Sequence, residues 1–291
     1  WHSSDASGTV KFLKMNKIYS IVNGVFFEKD DAKISISDLS IQRGYGIFDF
    51  FRTVQNQPIF LEDHLERFFY SAAEMKLEPP FNRSQIKELI YELIAKNNIP
   101  DSGIKMILTG GYSEAGFTLS WPNLIITQAA FTFNNELFDK GMSLISYEHQ
   151  RQLPHVKTID YLQAILLQSY ISENRADDVL YHNQTEIGEC PRSNFFLVTS
   201  DNRVLTPLKN ILKGITRKKI LELPGFNIAE SVIKLSDLKD AQEAFITSTT
   251  KNIVPVLKID GKAIGNGRPG KITTEIYRQI FKLKEMRQNG A

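Results

Sequence analysis

The sequence predicts a mixed α/β fold in two parts. Three observations carry that prediction: 291 residues are enough for two cores, strand-like alternation gives way to helical periodicity in two successive series, and the polar stretch Asn134-Asn135-Glu136 separates those series. The expected organisation is a small N-terminal α/β domain over 15–133, a linker over 134–140, and a larger C-terminal α/β domain over 141–291. Residues 1–14 are polar and lie ahead of Met15. Lacking the apolar core of a signal peptide, they read as a foreign or disordered extension.

The elements follow in order. Alternation from Lys17 to Phe27 predicts a hairpin turning at Asn23-Gly24, the dipeptide that suits a tight turn with positive φ. Strands are expected at Phe48–Val54 and Gln57–Leu61. From Leu61 to Leu77 apolar residues recur at three and four (Leu65, Phe68, Phe69, Ala72, Met75), which predicts a helix; a second spans Arg83–Asn97 after Pro79-Pro80. Strands at Ile104–Thr109 and Leu124–Phe131 flank the glycine-rich loop Gly110–Gly116. In the second series, strands are expected near Met142–Tyr147, Asp178–His182, Ser193–Thr199, Arg203–Thr206, Glu243–Thr247 and Pro255–Ile259. Helices are expected over Tyr161–Asn174, from Thr216, and over Thr273–Met286.

Composition narrows the function. With 42% hydrophobic and 23% charged residues the chain is an ordinary globular protein rather than a disordered one. A formal net charge of +2, with no run of like charge, gives no reason to expect a nucleic-acid partner. No apolar run approaches the roughly 20 residues that span a bilayer, so no membrane partner is expected either. A single cysteine, Cys190, excludes an internal disulfide and fits a cytoplasmic location.

Lys157 is the first residue of the candidate chemistry. It sits in the short apolar frame Val156-Lys157-Thr158-Ile159-Asp160-Tyr161-Leu162, followed by Glu189 to Asn194, by Gly214-Ile215-Thr216-Arg217 and by Thr247-Ser248-Thr249-Thr250. A lysine able to form an imine, a carboxylate and two hydroxyl-bearing turns are the protein side of a pyridoxal phosphate site. Each feature also has a plain structural explanation: a snorkelling lysine, a solvated loop glutamate, threonine capping of a helix and a hydroxyl-rich turn. The start of a helix at Gly214 offers unpaired N–H groups that favour an anion, so a phosphate is expected on Ile215 and Thr216.

With Arg43-Gly-Tyr-Gly-Ile-Phe-Asp49 and Asp63-His-Leu-Glu-Arg67 upstream, the ordered motifs resemble the class IV, fold-type-IV pyridoxal-phosphate aminotransferases. This group includes D-amino acid transaminases, branched-chain aminotransferases and aminodeoxychorismate lyases. The resemblance runs from about Tyr19 to the last helix. It implies a two-domain homodimer that moves an amino group between an amino acid, a D-amino acid by preference, and a 2-oxo acid in a ping-pong cycle; the alternatives are an L-branched-chain aminotransferase, an aminodeoxychorismate lyase or a catalytically silent binding protein on the same fold. Lys157 is implied as the catalytic lysine and Glu189, rather than Glu186, as the partner of the pyridine nitrogen. Arg67, Asn194, Ile215, Thr216 and Thr249 complete the implied cofactor site.

For the substrate, the Gly110–Gly116 loop lacks the arginine that commoner members of the group use. The resemblance instead points to Arg43 and Lys105 as a clamp on the α-carboxylate, with lysine where an arginine is expected, and to Phe48, Arg192 and Thr250 beside it. The plain alternatives are an ion pair of Arg43 with Asp38 or Asp49, and an edge-strand lysine at 105. Asp63, His64 and Glu66 lack a second ligand cluster, so no metal site is expected. Gly265 to Ile272 imitates a phosphate loop, but isoleucine follows Lys271 where a hydroxyl should be, and the segment reads as a turn before the last helix.

Overall fold

The computed structural model describes residues 17–134 and 136–286, so the extension expected over 1–14 lies outside the described residues. The first half contains β1 (Tyr19–Val22), β2 (Val25–Glu28), α1 (Leu39–Arg43), β3 (Gly46–Val54), β4 (Gln57–Pro58), α2 (Leu61–Glu74), α3 (Arg83–Asn97), β5 (Ser102–Thr109) and β6 (Leu124–Ala130). Its strands form one six-stranded sheet in the order β2-β1-β6-β5-β3-β4. The β1–β2 hairpin turns at Asn23 and Gly24, both with positive φ, as the dipeptide predicts. α3 begins with a full capping box between Asn82 and Gln85. α2 stops at Glu74, short of the expected Leu77, because Lys76 takes a left-handed conformation.

β3 sets the geometry that matters later. Period-two alternation turns Ile47, Asp49, Phe51 and Thr53 inward, each with no exposed surface, against a core that includes Leu65, Phe68, Ile86 and Ile90. Phe48, Phe50, Arg52 and Val54 therefore share the opposite face.

The second half contains α4 (Glu136–Lys140), β7 (Met142–Glu148), α5 (Leu162–Leu166), α6 (Gln168–Glu173), β8 (Asp178–Asn183), β9 (Glu186–Ile187), β10 (Glu189–Cys190), β11 (Ser193–Val198) and β12 (Val204–Pro207). It continues with α7 (Ile215–Leu221), β13 (Ile228–Ser231), β14 (Glu243–Ser248), β15 (Asn252–Ile259), β16 (Lys262–Ala263) and α8 (Lys271–Met286). Ten strands make a mixed sheet whose main path is β13-β12-β11-β14-β15-β7-β8-β9. β11 is buried along its whole length because both faces of the sheet are covered. One face packs Leu144, Leu180, Phe195 and Ile246; the other packs Phe196 and Phe245, stacked at 4.7 Å, against Ile276 and Ile280 of α8.

The structure differs from these expectations in detail. The stretch 134–140 is not all linker: Glu136–Lys140 is a helical turn, closed by an i,i+4 ion pair of 2.8 Å between its end residues. The helix expected over Tyr161–Asn174 breaks at Leu167, where exposed Leu162, Ile165 and Leu166 give way to buried Leu167 and Ile171, so no single straight face serves both groups. The short strands β9, β10 and β13 and helix α1 carry too few residues for periodicity to show. The glycine-rich turn at 265–270 does precede the last helix. There the Glu243 carboxylate accepts from the N–H groups of Ile272 (3.0 Å) and Thr273 (2.7 Å), which caps α8 and leaves no room for a side chain at Gly270.

Candidate active site

A cavity of about 470 Å³ opens between the two sheets. The outer face of β3 and β5 supplies one wall, where Phe48 pairs with Ile107 and Phe50 with Lys105. The opposite wall comes from β10 and β11, the start of α7 and the turn after β14.

Lys157 stands on the loop between β7 and α5, stitched to β3 by three main-chain contacts. Phe48 N–H donates to Lys157 O at 2.9 Å, Ile159 N–H to Gly46 O at 3.1 Å, and Ile47 and Thr158 form a bridge. Its Nζ lies 4.5 Å from the centre of the Phe48 ring. Burial, helped by the positive charge of Arg67 and opposed by Asp49, brings the amine down to about 7. At neutral pH a large fraction of this lysine is therefore unprotonated and nucleophilic, unlike a surface lysine.

Glu189 is 6% exposed, which leaves its carboxylate dependent on protein partners. Oε1 accepts from Arg151 Nε at 3.0 Å, and Oε2 accepts from Leu212 N–H at 3.0 Å and from Asn194 Nδ2 at 3.4 Å. Burial pushes the carboxyl up to about 7 against the pull of Arg151 and the Leu212 N–H. A cation brought to this carboxylate would hold it ionised. Glu186 does not line the cavity; it meets Lys209 at 3.5 Å on the other side of the turn.

Arg67 projects from α2 and is gripped by Asp49, Nε to Oδ2 at 2.8 Å and Nη2 to Oδ1 at 2.9 Å. His64 Nδ1 lies 2.7 Å from Asp49 Oδ1. Burial alone would raise Asp49, but Arg67 and His64 outweigh it and hold the carboxyl well below the usual range. His64, buried beside Arg67, is pushed below the ordinary histidine value, so it serves as a neutral donor to Asp49. Asp63 on α2 ties this helix to α7 through Lys218 at 2.7 Å and Lys219 at 3.0 Å. Arg67, Ile215 and Thr216 all line the cavity.

Gly214 caps α7 without a side-chain bond, and a Cβ there would lie 2.2 Å from Asn194 Oδ1, so only glycine lets Asn194 close on the turn. Asn194 accepts from Gly214 N–H at 3.1 Å and donates to Leu212 O at 2.6 Å. Arg217, next in the motif, turns into the protein and pairs with Glu230 at 2.7 Å. Two buried hydroxyls in the cavity wall, Ser193 Oγ and Thr247 Oγ1, have no hydrogen-bond partner among the described residues. Burying such groups is costly unless a ligand meets them.

The structure thus brings Arg67, Lys157, Glu189, Asn194, Ile215, Thr216 and Thr249 around one space, with Phe48, Lys105, Arg192 and Thr250 lining it too. Arg43 is not among them. It ends α1, donates to Gln42 O at 2.9 Å and covers the Phe117 ring at 4.7 Å. It pairs with neither expected acid: Asp38 is engaged by Ser40, Thr109 and Asn123, and Asp49 by Arg67 and His64. Sequence reasoning missed Asp49 and Arg151 as site residues. A charge at an inward position of β3, between Ile47 and Phe51, was the available signal for Asp49; Arg151 lies in a loop whose sequence gave none.

The family model of amino-transferase class IV matches residues 46–259. The D-alanine aminotransferase of Staphylococcus haemolyticus is 28% identical over 284 residues, covering 94% of this chain and 100% of that protein. A putative branched-chain-amino-acid aminotransferase of Methanocaldococcus jannaschii is 29% identical over 284 residues, covering 93% and 96%. In fold, the branched-chain amino acid aminotransferase of Escherichia coli superposes with a TM-score of 0.86 at 23% identity, covering 92% of this chain and 95% of that one.

Proposed function

Because the chain belongs to the class IV aminotransferases, we propose that its cavity transfers an amino group from a D-amino acid to a 2-oxo acid. The carrying observation is the pairing, in one space, of an amine near neutrality at Lys157 with a carboxylate at Glu189 and the Asp49-braced guanidinium of Arg67.

The residues present fit pyridoxal 5'-phosphate. Arg67, Ile215, Thr216 and Thr249 would hold its phosphate, and Glu189, steadied by Asn194 and Arg151, would meet its ring nitrogen. When bound, the cofactor supplies an electron-withdrawing ring that stabilises negative charge at the substrate's Cα. Lys157 takes the proton from Cα on its Nζ and returns it, a task suited to a base with a value near the working pH. Arg151, donating to Glu189, favours the ionised carboxylate that would meet the ring nitrogen. Phe48, Ile107 and Tyr161 line the cavity with apolar surface that would shield the proton's path from water.

Lys105 and Arg192 offer positive charge to the substrate carboxylate, with Thr250 nearby. The names of the bacterial D-alanine aminotransferase relatives support the D-amino acid reading. The apolar wall of Phe48, Phe50 and Ile107 favours a second reading, an L-branched-chain substrate. Arg43 joins the clamp from the partner subunit of a homodimer. Exposed Phe117 (81%) against Arg43, exposed Trp121 (85%) and the exposed leucines of α5 support such an interface. A cytoplasmic location accords with the single free cysteine and with the lack, among the described residues, of a helix long and apolar enough to cross a membrane.

The deciding experiment mixes cofactor-loaded protein with single D- and L-amino acids and follows the cofactor's absorbance without an acceptor. D-alanine or D-glutamate should react fastest. Reaction with L-leucine or L-valine alone would replace this reading by the second.

A further inference from the structure

Ile215, Thr216 and Thr249 have a second side. There they help to enclose another cavity of about 450 Å³, bordered by β3, the segment at 131–133, Asn252 and helix α8. Arg52 enters it from the same face of β3 that gives Phe48 and Phe50 to the first cavity. The guanidinium lies 3.9 Å from the centre of the Phe133 ring and 5.0 Å from that of Phe131. Among the described residues its buried Nε has no hydrogen-bond partner and the side chain makes no ion pair. Asp101, also in the wall, offers its carboxylate to Gln55 N–H at 3.2 Å instead.

Lys284 of α8 is the second cation. Its Nζ donates to Asn252 Oδ1 at 2.6 Å and, among the described residues, meets no carboxylate. Burial brings Lys284 down to about 7, with the charge of Arg52 adding to the effect, and brings Arg52 to about 10. Two half-buried cations facing one space repel each other and neither is paired with a carboxylate; the charge of Asp101 offsets that of Arg52 only in part, and an anion would relieve the arrangement. Ile59, Tyr277 and Phe281 give the wall an apolar side, and His64, Asp101 and Thr132 add polar groups to it. The volume is far larger than an inorganic anion needs and falls in the range of sites for small organic molecules.

We propose that this cavity is a second ligand site, for an aromatic carboxylate whose charged end meets Arg52 and Lys284 and whose ring lies against Phe133, Tyr277 and Phe281. A guanidinium lying on aromatic rings still presents its N–H edge, which suits the two coplanar oxygens of a carboxylate.

The test titrates cofactor-loaded protein with 1-naphthoate by calorimetry, beside the neutral 1-naphthalenemethanol. The carboxylate should bind at least about tenfold more tightly than the alcohol, the factor expected when a charge-assisted bond is lost. Arg52→Met and Lys284→Met should each weaken naphthoate about tenfold, while Lys105→Met, in the first cavity, leaves it unchanged. Cofactor absorbance and near-ultraviolet dichroism check that each variant is folded; if one is not, the comparison of acid with alcohol on the unaltered protein still decides. Absence of naphthoate binding, equal binding of the alcohol, or weakening by Lys105→Met instead of the other two overturns the proposal. No arm measures transamination, so the result stands apart from the reading of the first cavity.

Discussion

Arg67 and Asp49 meet through two parallel hydrogen bonds, 2.8 and 2.9 Å, with Asp49 fully buried and the arginine opening onto the cavity that holds Lys157. A planar fork held at its far edge cannot swing, so its remaining N–H groups stay aimed at one place. His64 completes the support from beneath, at 2.7 Å from the same carboxylate. The site thus borrows its rigidity from the core of the first sheet.

Replacing Asp49 by Asn should loosen cofactor retention and destabilise the cofactor-free protein by about 3 kcal/mol, because it leaves a partly buried guanidinium without counter-charge. The Asp49 carboxyl is held below its unfolded value, so its contribution is complete above about pH 4 and fades as pH falls toward the folded value. Urea unfolding from pH 7 to pH 3 should therefore show a gap between the two proteins that narrows below pH 4. A gap that stays constant with pH would show that the charge of Asp49 is not what stabilises the fold.

Lys157→Ala should abolish transamination and leave a folded protein. It should also raise the melting temperature of the cofactor-free form. The lysine amine is held down at about 7, against about 10.4 when unfolded, so its burdened charged form weakens the fold most below pH 7 and not at all above about pH 10.5. The gain in melting temperature should accordingly be largest on the acid side. A Lys157→Ala protein less stable than its parent at pH 6 would contradict the depressed value.

Glu189→Gln should slow amino-acid turnover by roughly two orders of magnitude or more, because a neutral amide no longer favours the protonated ring nitrogen. Arg151 would also lose its 3.0 Å partner. Glu186→Gln, which removes only an exposed contact with Lys209, should change the rate by no more than about twofold. Stopped-flow half-reactions on the two variants give the comparison, and the reverse order would reassign the carboxylate.

What the sequence made legible depended on how local its signal was. The β1–β2 hairpin, α3 and the inward alternation of β3 were readable because turn chemistry, capping and periodicity are properties of neighbouring residues. Lys157, Glu189 and Thr216 were readable as a set through their ordered motifs, and the structure gathers them in one cavity. Arg151 was not, since its place follows from a loop that crosses from β7 toward β10 and carries no periodic pattern. Arg43 shows the opposite limit: its motif was plain, yet its side chain leaves the cavity of its own chain, which no spacing rule predicts.

Lys105→Met and Arg43→Met should each raise the half-saturation constant for the amino acid about tenfold or more, the loss of a charge-assisted bond, with cofactor affinity little changed. If Arg43 acts across a homodimer, mixing separately weakened chains must rescue them. In a mixed dimer of Lys157→Ala and Arg43→Met chains, the cavity that keeps Lys157 receives an intact Arg43 from its partner. After unfolding and refolding together, half of the dimers are mixed and each has one complete site, so activity at low substrate should return to about a quarter of the parent's. If Arg43 served its own chain, the same mixture would contain no complete site and would stay as weak as the Arg43→Met protein diluted by an inactive one.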